Sequence, residues 1–444
     1  MTAGVSRPPE PDWLAARPTI DEFRSAAQRG LGRCWHWLRR FDASEYTSVL
    51  IEVSTRGIGF DLDEIDPSYI VDLAEASGSP EEVRRAAINA AQSGDSGGDL
   101  AHIDGVLFAW AKRGHADARE AIDRLFESQV AQGAGIGGFS IIELDGFDGL
   151  VRVARRAGGC ISADSAWRLG AWISSCEEAG EAGAESRLRA LADRDAEIAA
   201  FLGALDAERN VCGPPPAQPQ GLDGLLERAV GGERGVDLWT DVRRWARASD
   251  EEQWHAVSEK FLVCEHAGEA WLLANALVVG ENAPAFRPFA ASIRALQSRC
   301  RHRDPAISAA SRRVFSRQSG PRVPALARLL LAAGEVERDT LEMLRESLAP
   351  EDVDVILEKL RASDQRTNEE THEIVLGLLG LVERRSKRFA APLALWGYEH
   401  SPCGRCRQGF VEWLARHGAI TPEIAFEAHH DGVPSIRSLA ASLA

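Results

Sequence analysis

A chain of 444 residues, 45% hydrophobic and 27% charged, has ordinary soluble composition and length enough for more than one domain's worth of buried core. Its formal net charge of −16 disfavours uniform binding to nucleic acid or anionic membrane. The cysteines stand singly except for Cys403 and Cys406, so there is no secreted disulfide framework; no stretch approaches the roughly 20 apolar residues of a membrane span, and the N-terminal residues carry no signal-peptide pattern. The expectation is a cytoplasmic protein with no membrane partner.

Residues 1–12 are Pro-rich and polar and read as a flexible tail. From Ile20 the pattern is helical. A helix over 21–40 ends in CWHWLRR, with Trp37, Leu38 and Phe41 at a core edge, and another follows over 43–54. Residues 56–67 read as an acidic loop. Short amphipathic helices are predicted over 67–76, 80–92, 100–112 and 116–130, each broken by Gly, Ser or Asp. Helices of about 10 to 16 residues with brief turns fit antiparallel hairpins. Phe139–Leu144, FSIIEL, is the one strand-like run; helices follow over 148–157 and 163–176. A long charged helix is expected over 184–209, heptad-like through Leu188, Leu191, Ile198, Phe201 and Leu205. VCGPPPAQPQG, at 211–221, is a Pro-rich linker, and helical hairpins resume beyond it. The expected organisation is a tail 1–12, an N-terminal helical repeat segment 13–210, the linker 211–221 and a C-terminal helical repeat segment 222–444.

One device recurs. SGSPEEVRRAAINAA (77–91), HRDPAISAASRRVF (302–315) and HDGVPSIRSLAASL (430–443) each place a turn residue before Pro, then an aliphatic, then small Ala-spaced positions. Pro at the first helical position has no N–H to lose, and the residue before it can cap. Val83-Arg84 and Ile436-Arg437 share an Arg directly after the aliphatic, and HADAREA (115–121) is a weaker echo with Asp117 and Arg119. These helical pairs resemble HEAT-like repeats, the α-solenoid class that includes the phycobilisome-lyase-type repeats. The run SPCGRC…VEWLARHGAI is similar to a group of uncharacterised bacterial HEAT-like proteins. The resemblance implies an all-α solenoid of stacked antiparallel hairpins in two segments. It also implies that an Asp (Asp304, Asp431) and an Arg (Arg84, Arg119, Arg437) tie neighbouring repeats together. It implies no activity.

Four features could carry chemistry. Cys403-Gly-Arg-Cys406 puts two thiols on the first turn of a helix, with Ser401 able to cap and Pro402 at the first helical position. His400 and His417 are the nearest candidates to complete a zinc site with Cys403 and Cys406; structural thiols and a redox pair stay open beside it. Gly133-Ala-Gly135-Ile-Gly-Gly138 is a literal G-x-G-x-x-G, but it follows a helix rather than a strand, so a connector fits better than a nucleotide site. Asp61, Asp63, Glu64 and Asp66, and Glu143, Asp145 and Asp148, offer oxygens for a cation without the spacing of a calcium loop; capping explains them better. No nucleophile-elbow, H-E-x-x-H, P-loop or kinase signature is present.

Most of the negative charge falls in residues 1–210, whereas Arg287, Arg294, Arg299, Arg301, Arg303, Arg312, Arg313, Arg317, Arg322 and Arg328 face a single acid, Asp304. Arg287, Arg294 and Arg301 lie seven apart and Arg313 and Arg317 four apart, so each set would share a face on a continuous helix. Three readings of this block stay open: an acidic protein partner, nucleic-acid phosphates, or pairing with the chain's own acidic half. With no catalytic motif, the expected function is a non-enzymatic scaffold for protein–protein interaction. The alternatives are nucleic-acid binding through the Arg block, and an enzyme or metal/redox protein using the Cys403/Cys406 motif.

Overall fold

The computed structural model describes residues 11–57, 65–93, 100–158, 160, 167–211, 221–279, 289–362, 366–383 and 388–443. Among these residues every regular element is a helix and no strand occurs. No described helix is long and apolar enough to cross a membrane. The tail 1–12 lies almost wholly outside the described residues, as do Arg287 and most of the linker.

The helices group into two units. The first comprises Met1–Pro215, Pro402–Gln408 and Ile420–Ala444; the second comprises Pro216–Ser401 and Gly409–Ala419. The sequence reading ran its second segment unbroken over 222–444, whereas the first unit takes in residues 402–408 and 420–444. Buried ion pairs described below hold those returning residues.

In the first unit many helices pack on a chain neighbour and on the helix two further along. Thr47–Thr55 packs on Pro80–Ser93, and Pro80–Ser93 on Ala116–Val130; Arg33–Arg40 packs on Ser68–Ser77, and Ser68–Ser77 on Leu100–Lys112. Val83, Ala87 and Ala91 recur at helical spacing and are buried, so the small residues of the repeated device let neighbouring helices approach closely. The second unit has the same pairing: Ala267–Val278 packs on Pro305–Ser316, Pro305–Ser316 on Arg338–Glu342, and Arg338–Glu342 on Asn368–Glu383, while Arg322–Ala332 packs on Pro350–Arg361.

Three expected elements differ. FSIIEL is not a strand: it opens the helix Gly138–Ala157, in which Ile141 and Ile142 are buried before the kink at Gly146 and Leu150, Val153 and Ala154 after it. A run of six cannot separate strand from helix by periodicity, and no partner strand exists among the described residues. The helix over 21–40 is two, Ile20–Gln28 and Arg33–Arg40, parted at Gly30, whose φ of 71° a residue with a Cβ disfavours. The long helix over 184–209 is also two, Ala184–Ala192 and Ala196–Val211, because the Asp195 carboxylate accepts from the backbone N–H of Ile198 at 3.2 Å and so caps a new start.

Candidate functional site

A relay of arginines runs through the first unit. Arg84, directly after the buried Val83, donates to Asp117 at 3.0 Å. Arg119 donates to Asp145, and Arg155 to Asp195 at 2.7 Å. Each arginine therefore reaches an aspartate further along the chain, on the next helix for Arg119 and beyond the next helix for Arg84 and Arg155. Asp117 and Arg119 sit in the HADAREA echo, so that copy accepts from one neighbour and donates to the next. The acidic positions Asp145 and Asp66 are consumed in the same way. Asp145 is shared by Arg119 and Arg152. Asp66 accepts from the Ser68 N–H at 2.9 Å and from Arg437 at 2.7 Å; these bonds outweigh its burial and hold the carboxyl below the ordinary range. The non-helical backbone at Gly146 (φ 58°, ψ −134°) divides Gly138–Ala157 into two helical segments, with Glu143 and Asp145 before the break and Asp148 after it. Asp61, Asp63 and Glu64 lie outside the described residues.

The Gly-rich run is a packing device. A Cβ on Gly135 would stand 2.5 Å from the Trp172 indole, and one on Gly138 2.7 Å from the same ring. The glycines let this turn lie against a wholly buried tryptophan. The helix-before order already weighed against a phosphate cradle, and the contact supplies the reason for the glycines.

Aspartate 431 shows the third copy of the device doing something the sequence did not anticipate. Arg407, the residue after Cys406, is wholly buried and bonds both Asp431 oxygens, at 2.8 and 3.2 Å, and donates to the Arg29 carbonyl at 2.6 Å. Arg33 makes a bidentate pair with Glu427 at 2.7 and 2.8 Å. Gly432 N–H donates to the Gly30 carbonyl at 2.7 Å. Around these pairs the rings interleave: Trp35 stacks on His430 at 3.7 Å, His36 on Phe426 at 4.0 Å, and Trp13 on Phe426 at 6.3 Å. Trp13, half-buried, is part of this cluster. Burial pushes His36 and His430 down to about 4, with His429 repelling both and the Phe426 carbonyl bond favouring the charged His36.

Cys403 and Cys406 are buried, and their sulfurs lie within 4.8 Å of each other. The Cys406 N–H donates to the Cys403 sulfur at 3.3 Å, so the thiol takes the capping place assigned to Ser401 and the helix begins at Gly404. His400 and His417 belong to the second unit and share one arrangement. Each stacks on the tryptophan four residues earlier, Trp396 at 4.4 Å and Trp413 at 4.2 Å, and each sets Nδ1 against that residue's carbonyl, at 2.9 and 2.8 Å. A carbonyl oxygen only accepts, so Nδ1 is the donor in each of these bonds.

The Arg block separates into paired and outward members. Arg312 meets Glu335 at 2.5 Å and Glu337 at 3.1 Å; Arg317 meets the buried Glu342 at 2.9 Å; Arg328 grips Asp352 with two bonds of 2.9 Å. Arg299 is buried on the carbonyls of Leu262, at 3.0 Å, and Cys264. Their partners lie in the second unit, just along the chain. Beside them burial and the neighbouring Glu342 push Asp339 up to about 7, against the pull of Arg313, Arg338 and Arg317. Arg294 and Arg301 are exposed. The helix Ile293–Arg299 ends before Arg301, so these two do not share one helical face. A cavity of about 660 Å³ opens beside Arg317, Glu342, Arg345 and Ser347.

The sequence reading assigned no functional residue to the helix Val236–Ala248. Leu238, Val242 and Trp245 fill its inner face. Trp239 is left 38% exposed, with the Arg243 guanidinium 4.2 Å from its ring centre. A helical wheel would have found it, since Trp239 falls one position off the 238–242–245 stripe.

The chain matches no family model, no curated protein and no solved structure.

Proposed function

We propose that the chain is a non-enzymatic HEAT-like α-solenoid that serves as a scaffold for protein partners. The observation that carries this reading is the relay Arg84–Asp117, Arg119–Asp145 and Arg155–Asp195. Arg84 and Arg119 are two of the arginines that the resemblance assigns to such ties, although their partners are Asp117 and Asp145 while Asp304 caps its own helix and Asp431 pairs with Arg407, and the relay accompanies helices that pack on the next helix but one. Repeats joined in this way contact chiefly their neighbours, and their outer and concave faces remain available for partners. Fold supports the class of function and not its partner. The test is capture from the native host with cross-linking, followed by reconstitution from purified components. A partner that binds stoichiometrically, with its hydrogen-exchange footprint on outward helix faces, supports the reading. Binding of a labelled oligonucleotide in preference to any protein would replace it with the nucleic-acid reading.

A second reading rests on Cys403 and Cys406. Two sulfurs within 4.8 Å at a helix start, one already accepting an N–H bond, suit a zinc ion or a dithiol couple. Elemental analysis of protein purified without an affinity tag decides the zinc arm: stoichiometric zinc lost in Cys403→Ser supports it, and its absence removes it.

A further inference from the structure

We propose that the outward face of the helix Val236–Ala248 is the docking surface for a short acidic segment of a partner protein, seated on Trp239 and held by Arg243 and Arg247. This deepens the scaffold reading and rests on it.

The face is built from residues that a solvated helix has no need of. Val236 is 77% exposed and Trp239 38% exposed, three positions apart, so both point outward together. Arg243 and Arg247 continue the stripe at steps of four. A shallow depression of about 480 Å³ runs along Trp239, Thr240, Arg243, Arg244, Arg247 and Ala248. Arg243 lies over the Trp239 ring, which orders the guanidinium while leaving its N–H groups for an acceptor. The other arginines of this neighbourhood are satisfied: Arg244 and Arg228 meet Asp241 at 3.2 and 2.8 Å, and Arg228 also meets Glu233 at 2.5 Å. No ion pair to Arg243 or Arg247 occurs among the described residues. Tryptophan and arginine side by side, with one ring half-covered, is the composition of an interface anchor.

Charge and reach choose the occupant. Trp239 to Arg247 spans about 12 Å along the helix axis, enough for a few residues of extended chain carrying two or three carboxylates. A long polyanion would run past the patch into the field of a protein of net charge −16. A short acidic segment with one apolar side chain fits the two arginines and the exposed indole without doing so. A base could stack on the indole, which makes single-stranded nucleic acid the competitor to measure.

The test is fluorescence anisotropy with the full chain and a labelled short peptide of Asp and Glu residues around one Leu, competed with oligothymidylate. Binding should weaken with salt and fall about tenfold or more in Trp239→Ala and in Arg243→Glu/Arg247→Glu. Arg294→Glu is the control and should bind as the parent does. Arg247 and Arg294 are exposed and Trp239 is 38% exposed; Trp239→Phe keeps most of the packing and serves beside Trp239→Ala, so that a variant that melts as the parent does separates lost docking from lost folding. No binding by the parent chain, equal binding by the variants, or tighter binding of oligothymidylate would each overturn the proposal. A captured partner that still binds Arg243→Glu/Arg247→Glu would leave the scaffold reading standing and remove this surface alone.

Discussion

Arg407 and Asp431 meet at 2.8 Å with neither side chain exposed to solvent. Their helices are separated along the chain from Arg29 and Gly30, yet Arg407 donates to the Arg29 carbonyl and the Gly432 N–H to the Gly30 carbonyl. The pair therefore closes the first unit on itself, joining its earliest helices to its last.

Removing one member strands the other as a buried charge. Arg407→Ala or Asp431→Ala is expected to cost about 3–5 kcal/mol in urea unfolding, because desolvation is no longer offset by the partner. Replacing both with apolar residues of similar size, Arg407→Met with Asp431→Leu, should recover a large part of that loss. Equal losses in the single and double variants would show that the geometry matters less than the backbone bonds around it.

The ring cluster beside this pair makes stability depend on pH. His36 and His430 are held near 4 chiefly by burial, whereas a histidine in the unfolded chain titrates near 6.5. Between those values the unfolded chain binds protons that the folded rings refuse. The stabilisation is complete above about 6.5 and is lost as the pH falls toward 4. Both rings keep some solvent access, so a loss on the order of 1 kcal/mol each is expected. Charged neighbours act on the rings as well: His429 and Arg437 oppose the charged form of His430 and Asp72 favours it. The measurement is therefore a comparison of denaturation midpoints with His430→Phe, which keeps the stack on Trp35 and should flatten the profile.

Gly135 and Trp172 supply a steric test of the Gly-rich run. Gly135→Ala places a methyl 2.5 Å from the indole, so the turn or the ring must shift. Overpacking of this kind costs about 1–3 kcal/mol, read as a lower melting temperature. If the run instead cradled phosphate, the variant would melt normally and lose nucleotide binding.

Arginines of the basic block should differ in kind. Arg317 faces the buried Glu342, with side-chain exposures of 12% and 8%. Arg317→Glu sets two carboxylates together beside Asp339 and is expected to destabilise by about 3 kcal/mol or more. Arg294→Glu and Arg301→Glu, at exposed positions, should move the melting temperature little. A uniform response across all three would argue that the block acts as one surface.

The sequence by itself determined the helices and many of their ends. Pro80–Ser93, Leu100–Lys112 and Ala116–Val130 form where turn residues and 3.6-residue periodicity place them, because a helix is a local structure whose bonds span four residues. It also marked Arg84, Asp117 and Arg119, since a repeated device puts each at a fixed offset from a buried aliphatic. Which charges find each other was decided only by the tertiary structure. The ten arginines look alike along the chain, yet Arg328 grips Asp352 and Arg294 faces solvent, because pairing depends on which helix packs alongside. The same holds for Arg33 with Glu427 and Arg407 with Asp431. Local pattern reaches a turn or two of helix, whereas burial of a charge depends on every element that closes over it.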